Sequence, residues 1–165
     1  MRIEQSDFAI NYLAVAGKYL TNSGAVATGA SATGPVGASV LTDWIKAMGY
    51  RELAVNLTVG APTGSSPTLS LKFLVLDPIE SSNGVSTGNT NPPVVTLPLT
   101  PAALTGAAHL RLVIAGGTAT VWVNDVPTTL GALDVPSAWQ LQLTVGGSYG
   151  SGQGWGVIGT YELRR

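Results

Sequence analysis

Apolar residues recur at every second position through five separate stretches of the chain. Leu53, Val55, Leu57 and Val59 alternate with Glu52, Ala54, Asn56 and Thr58. Leu69, Leu71, Phe73 and Val75 alternate with Ser70, Lys72, Leu74 and Leu76, so this stretch becomes apolar on both sides towards its end. Leu110, Leu112 and Ile114 are spaced by His109, Arg111 and Val113, and Trp139, Leu141, Leu143 and Val145 by Gln140, Gln142 and Thr144. The last stretch sets Trp155, Val157, Tyr161 and Leu163 against Gly156, Ile158, Thr160, Glu162 and Arg164. A period of two puts successive side chains on opposite faces, so each stretch predicts a half-buried antiparallel strand.

Turn-forming residues separate these stretches. Gly60-Ala61-Pro62-Thr63-Gly64-Ser65-Ser66-Pro67 parts the first two, and a Gly/Ser-rich run over 146–154 parts the last two. Ala115-Gly116-Gly117-Thr118 introduces a further strand over 119–123, which ends at Asn124-Asp125. Glycine reaches the positive φ such turns need, and proline fixes φ while removing a donor. Only residues 40–48 (VLTDWIKAM), closed by Gly49, admit a short helix, with a strand or bend as the alternative. Residues 21–39 and 81–93 read as long irregular Gly/Ser/Thr segments, expected to be mobile in an isolated monomer and, for the first, to order on assembly. A short echo links Asn56-Leu57-Thr58-Val59-Gly60 to Gln142-Leu143-Thr144-Val145-Gly146, as two similar hairpins would. The expectation is an all-β fold of seven to nine strands, an antiparallel β-sandwich or jelly-roll-like single domain with long Gly/Ser/Thr loops. Residues 1–48 supply N-terminal strands and a low-complexity arm, and 49–165 the sandwich core.

Composition narrows the function classes. The 165 residues carry 8 basic and 9 acidic side chains, a net charge of −1, and no cysteine. A chain so poor in cations cannot neutralise many phosphates, so a nucleic-acid partner is not expected. Disulfides, thiolate catalysis and Cys-zinc sites are excluded outright. No run of about 20 strongly apolar residues suits a membrane-spanning helix, and the polar start Met1-Arg2-Ile3-Glu4 predicts no signal peptide. Charge is absent from 81–110 and from 135–161. A monomer of near-zero net charge exposing such segments tends to associate, which predicts a homo-oligomer.

Candidate chemistry is sparse. His109 is the sole histidine, and no motif nominates a nucleophile or an orienting group for it. The carboxylates are scattered, and Asp77-Pro78 and Asn83-Gly84 read as turn residues before they read as ligands. The Gly-rich loops lack a following lysine and lead into strands, so they are not phosphate cradles. No catalytic residue, metal site or cofactor is therefore expected. Trp44, Trp122, Trp139 and Trp155, with Tyr149, offer one alternative, a sugar-stacking platform. Against it, Trp139 and Trp155 share the parity of core positions.

Two strand-and-turn motifs carry a family resemblance. Gly49-Tyr50-Arg51-Glu52-Leu53 with its strand, then Gly64-Ser65-Ser66-Pro67-Thr68-Leu69 with the next, followed by Leu110-Arg111-Leu112 and Gly116-Gly117-Thr118, resembles small structural proteins of tailed bacteriophage particles. Asp77-Pro78 stands where those proteins carry an Asp-Gly turn. The resemblance spans residues 49–118 and implies a virion component, in first place a head decoration (cement) protein. It implies a homotrimer on the outer surface of the phage head, bridging subunits of the major capsid protein. A neck, tail or baseplate component and a carbohydrate-binding β-sandwich module are the alternatives.

Overall fold

Each alternating stretch forms a strand with the parity its sequence predicts. The computed structural model describes residues 3–14, 30–34, 39–41, 44–62, 66–76, 94–100, 102–148 and 154–165. Its strands are β1 (Ile3–Ala14), β2 (Ala30–Gly34), β3 (Ser39–Leu41), β4 (Ile45–Lys46), β5 (Glu52–Val59) and β6 (Ser66–Leu76), then β7 (Val94–Pro98), β8 (Ala108–Ala115), β9 (Thr118–Val123), β10 (Val126–Ala132), β11 (Ala138–Ser148) and β12 (Gly154–Arg164). They make a seven-stranded sheet in the order β10-β9-β8-β5-β12-β1-β2 and a five-stranded sheet in the order β3-β11-β6-β7, with β4 also paired to β11. Every pairing is antiparallel except β1 with β2.

The inward faces meet in one core. Leu53, Val55, Leu57 and Val59 from β5 are buried with Leu110, Leu112 and Ile114 from β8 and Val157 and Leu163 from β12. Leu69, Leu71, Phe73 and Val75 from β6, and Trp139, Leu141, Leu143 and Val145 from β11, close the other side. Burying each Leu or Phe side chain contributes roughly 1.5–3 kcal/mol. An aromatic trio ties the layers together: Trp139 stacks on Phe73 at 5.3 Å and meets the Tyr161 ring edge-on at 5.4 Å.

Several expectations need correction. Among the described residues there are twelve strands rather than seven to nine. Apart from the 12-residue β1, which falls where N-terminal strands were expected, the extra ones are short pieces with too few residues to show a period, or, like β10 (VPTTLGA), strands exposed along most of their length. Residues 40–48 contain no helix among the described positions: Leu41 ends β3, Ile45 and Lys46 form β4, and Met48-Gly49 is a turn. Residues 30–34 of the low-complexity segment are not irregular but form β2, held parallel against Ile10–Ala14 by main-chain bonds that need no apolar side chains. Residues 21–29 and 81–93 lie outside the described set.

The largest correction concerns the echo. Neither copy opens a hairpin. β5 and β6 lie in different sheets, as do β11 and β12, so each copy starts an arch from one layer to the other. Both strands of each arch turn an apolar face inward, across the ~10 Å that separates packed sheets. The arches lie side by side, because β5 pairs with β12 and β6 with β11. An approximate two-fold relation therefore exchanges β5 with β11 and β6 with β12.

True hairpins occur where the turn chemistry demands them. Gly116 and Gly117 join β8 to β9 at φ of 57° and 75°, and Asn124 and Asp125 join β9 to β10 at 49° and 66°. Positive φ at both central residues is the signature of a type I′ hairpin turn. The second turn makes Val123 and Val126 a hydrogen-bonded pair, so the next pair, Trp122 with Pro127, directs its β10 main-chain groups away from the sheet. Pro127 thus stands on the open edge at a position whose missing N–H would have faced solvent.

Candidate functional site

The proposed aromatic platform is taken apart by the fold. Trp139 and Trp155 are core residues at 0% and 2% exposure. The Trp139 indole Nε1–H is buried with no hydrogen-bond partner, a cost accepted for ring packing. Trp122 is half-buried on the outer face of the seven-stranded sheet, with the Arg111 guanidinium 5.8 Å from its ring centroid. Trp44 is exposed and precedes β4, which belongs to the other sheet. Tyr149 lies outside the described residues. The two tryptophans that keep ring surface therefore lie on different layers.

His109 is exposed on the outer face of β8. Its backbone is the structured part: the His109 amide donates to Asn124 Oδ1 at 2.9 Å, and the Asn124 amide donates to the His109 carbonyl at 2.8 Å. Those bonds extend the β8–β9 ladder by one residue past Val123. Among the described residues no three His, Asp or Glu side chains are grouped as a metal site. Asp77-Pro78 and Asn83-Gly84 lie outside the described set. The Gly-rich loops lead into β6 and β12, as their lack of phosphate-cradle context requires.

A shallow open cleft of about 480 Å³ sits where the chain crosses from β7 to β8. Thr100, the run from Ala102 to Ala108, Val123 and Asn124 line it, and no charged side chain faces it. Thr100 is already engaged, since its Oγ1 accepts the Leu71 amide at 3.1 Å. The cleft has a neutral, small-residue wall without an acid, a base or a charged anchor.

A cluster of charge lies at the opposite end of the sandwich, where β5 and β1 begin and β12 ends. Arg164 is hydrogen-bonded to Glu162 and stands 3.9 Å from Glu52. The hydrogen bond from Glu162, then the charges of Glu162 and Glu52, hold the Arg164 guanidinium above its ordinary pKa. Asp134 sits beside the Gly116-Gly117 turn at this same end. The group that the sequence reading overlooked is also here. Trp44, Lys46 and Met48 point outward while Ile45 and Ala47 are buried. Arg165 lies over the Tyr50 ring at 5.1 Å. The strand alternation was legible in 44–48, but a helix explains the Trp44/Met48 spacing equally well and hides Lys46 between them.

No family model and no curated protein matches the sequence. Solved structures of similar shape include the laminarinase catalytic domain from Thermotoga maritima, at 11% identity over 99% of this chain and 77% of that one, with a TM-score of 0.41. The Bacillus licheniformis β-glucanase gives 8% identity, 82% and 72% coverage and a TM-score of 0.39. The VP2 protein of infectious bursal disease virus gives 12% identity, 98% of this chain on 31% of that one, and a TM-score of 0.44. Scores at this level carry no argument about function, and the sandwich stands on its own register and core.

Proposed function

We propose that this protein is a structural component of a virus particle, in first place a head decoration (cement) protein of the kind found on tailed bacteriophages. The observation that carries the reading is a charge-poor sandwich on which Ile3, Trp44, Met48, Val126 and Ile158 remain exposed at 39–77%. Such side chains gain stability when another protein covers them. The strand-and-turn resemblance over 49–118 supports the same reading.

In this reading the chain sits as a homotrimer on the outer surface of the head and bridges major capsid protein subunits. A stable specific contact buries about 1,600 Å² in total, and many weak joints on one particle reinforce each other. The protein has no enzymatic role and no cofactor in this reading. An activity abolished by His109→Ala, or a stoichiometric metal in the purified chain, overturns that part.

Electron microscopy of virions bearing the tagged chain is the decisive experiment. Density at joints between capsid subunits is the expected result. Density on the tail axis replaces the decoration role with a neck, tail or baseplate role, and a particle without the chain overturns the virion reading. A second reading, a carbohydrate-binding module, draws on the ring surface that Trp44 and Trp122 retain. Saturable quenching of their fluorescence by an oligosaccharide, lost in Trp44→Ala or Trp122→Ala, selects it.

A further inference from the structure

We propose that the corner built on Trp44 and Met48 is the docking surface, and that its partner is a protein surface with a carboxylate rim around an apolar centre. The inference rests on the virion reading and deepens it by naming the face that makes contact.

Burial alternates from Trp44 to Met48, so Trp44, Lys46 and Met48 project together at the edge where β4 pairs with Ala138 and Trp139 of β11. Trp44 is 39% and Met48 77% exposed. Tryptophan is enriched among the few residues that dominate interface energy, and methionine adapts its unbranched chain to a partner's relief. The Tyr50 amide turns back to the Ala47 carbonyl at 3.3 Å, which carries the chain from this pair directly to Arg51. The Arg51 amide then bonds the Arg164 carbonyl at 2.8 Å, and Arg165 folds over Tyr50.

Charge at the corner selects the partner. Glu162 and Glu52 are both taken by Arg164. Lys46, Arg51 and Arg165 make no ion pair among the described residues. Lys46 thus projects with the apolar pair, and Arg51 and Arg165 follow it at the same end of the sandwich, all three outside the Arg164 cluster. Among the described residues a second copy offers no matching acidic face: Glu52 and Glu162 are held by Arg164, Glu4 is half-buried and engaged, and Asp125 and Asp134 stand singly at separate turns. An anionic bilayer fits less well, because Trp44 is only 39% exposed and a strand corner offers little apolar surface for insertion. An acidic protein surface satisfies both the cations and the apolar pair.

The test uses hydroxyl-radical footprinting of the full chain, free and on purified virions, with Met48 as the reporter. Met48 oxidation is expected to fall about tenfold on the virion, as full burial of an interface centre requires. Trp44→Ser/Met48→Ser and Lys46→Glu/Arg51→Glu/Arg165→Glu are each expected to lower virion occupancy about tenfold or more, and about 0.5 M NaCl to weaken the unmodified chain. Arg111→Glu, on the outer face of the seven-stranded sheet, leaves occupancy unchanged. Thermal unfolding of each free variant separates lost docking from lost folding, and the single variant Lys46→Glu, on an exposed side chain, repeats the test if a multiple variant unfolds. Normal occupancy with Met48 fully reactive overturns the docking surface and leaves the virion reading standing. Absence of the chain from virions overturns both. Charge-dependent binding to phosphatidylserine vesicles assigns the corner to lipid and overturns the protein partner.

Discussion

The two arches begin with nearly the same five residues and differ in what stands opposite them. In the β5–β6 arch Leu57 and Val59 are buried, and in the β11–β12 arch Leu143 and Val145 are buried in the same way. Each is followed by a glycine at the same step. A Cβ placed on Gly60 meets only the Gly156 carbonyl oxygen at 3.6 Å, whereas one placed on Gly146 meets Thr68 Oγ1 at 2.6 Å. The neighbouring strand offers a glycine in one case and a threonine in the other. Local sequence therefore decides that the chain crosses between layers, while the facing strand decides how much each crossing tolerates.

The strongest test of the equivalence is truncation of the paired leucines. Leu57→Ala and Leu143→Ala are each expected to cost about 2–5 kcal/mol in urea unfolding, with similar values for the two. Thr144→Ala, on the other face of β11, is expected to cost much less than Leu143→Ala. Equal losses at Leu143 and Thr144 break the assigned parity, and a large inequality between Leu57 and Leu143 breaks the two-fold relation.

A contrast of the glycines comes next. Gly146→Ala is expected to destabilise by about 1–3 kcal/mol through overpacking. Gly60→Ala should stay within about 0.5 kcal/mol of the parent. The Thr68→Ala/Gly146→Ala double variant should recover part of the loss, giving a non-additive cycle. An additive cycle shows that Thr68 Oγ1 is not the obstacle.

The free edges of the arches also differ. β12 has β1 along its flank, but β6 loses β7 at Pro98 and continues its ladder with Leu99, the Thr100 hydroxyl and Leu104. Thr100→Val leaves the Leu71 amide without that acceptor and is expected to cost about 1–3 kcal/mol, with Thr100→Ser close to the parent. The smallest effect belongs to the solvent-exposed Arg164 pair at the end of β12. Arg164→Gln should leave the unfolding midpoint unchanged, because exposed ion pairs are screened by water and salt.

The strands with sustained alternation were legible in the sequence because one face of each is buried and the other is wet. Val55, Leu112 and Leu141 are examples whose burial follows from parity alone. Which sheet a strand joins is not written in its parity: β5 and β6 alternate as a hairpin would, and the destination is set by loop length and by the competing pairing of β11 and β12. Gln140 and Leu74 show a second gap, since both are buried at 7% and 9% on the face that parity assigns to the outside. The exposed corner escaped notice for a different reason. Trp44 and Met48 share a face in either a helix or a strand, and Arg165 joins them only through the fold.

Pro127 has a consequence beyond its own strand. A row of unpaired main-chain donors along β10 would invite a strand from another molecule to continue the sheet, and repetition of that step is how fibrils grow. Without a donor at Pro127, and with the register slipping between Thr129 and Gly131, an incoming strand finds no regular ladder to copy. Crowding this protein at high density brings its side chains into contact while denying the β10 edge a regular ladder to extend.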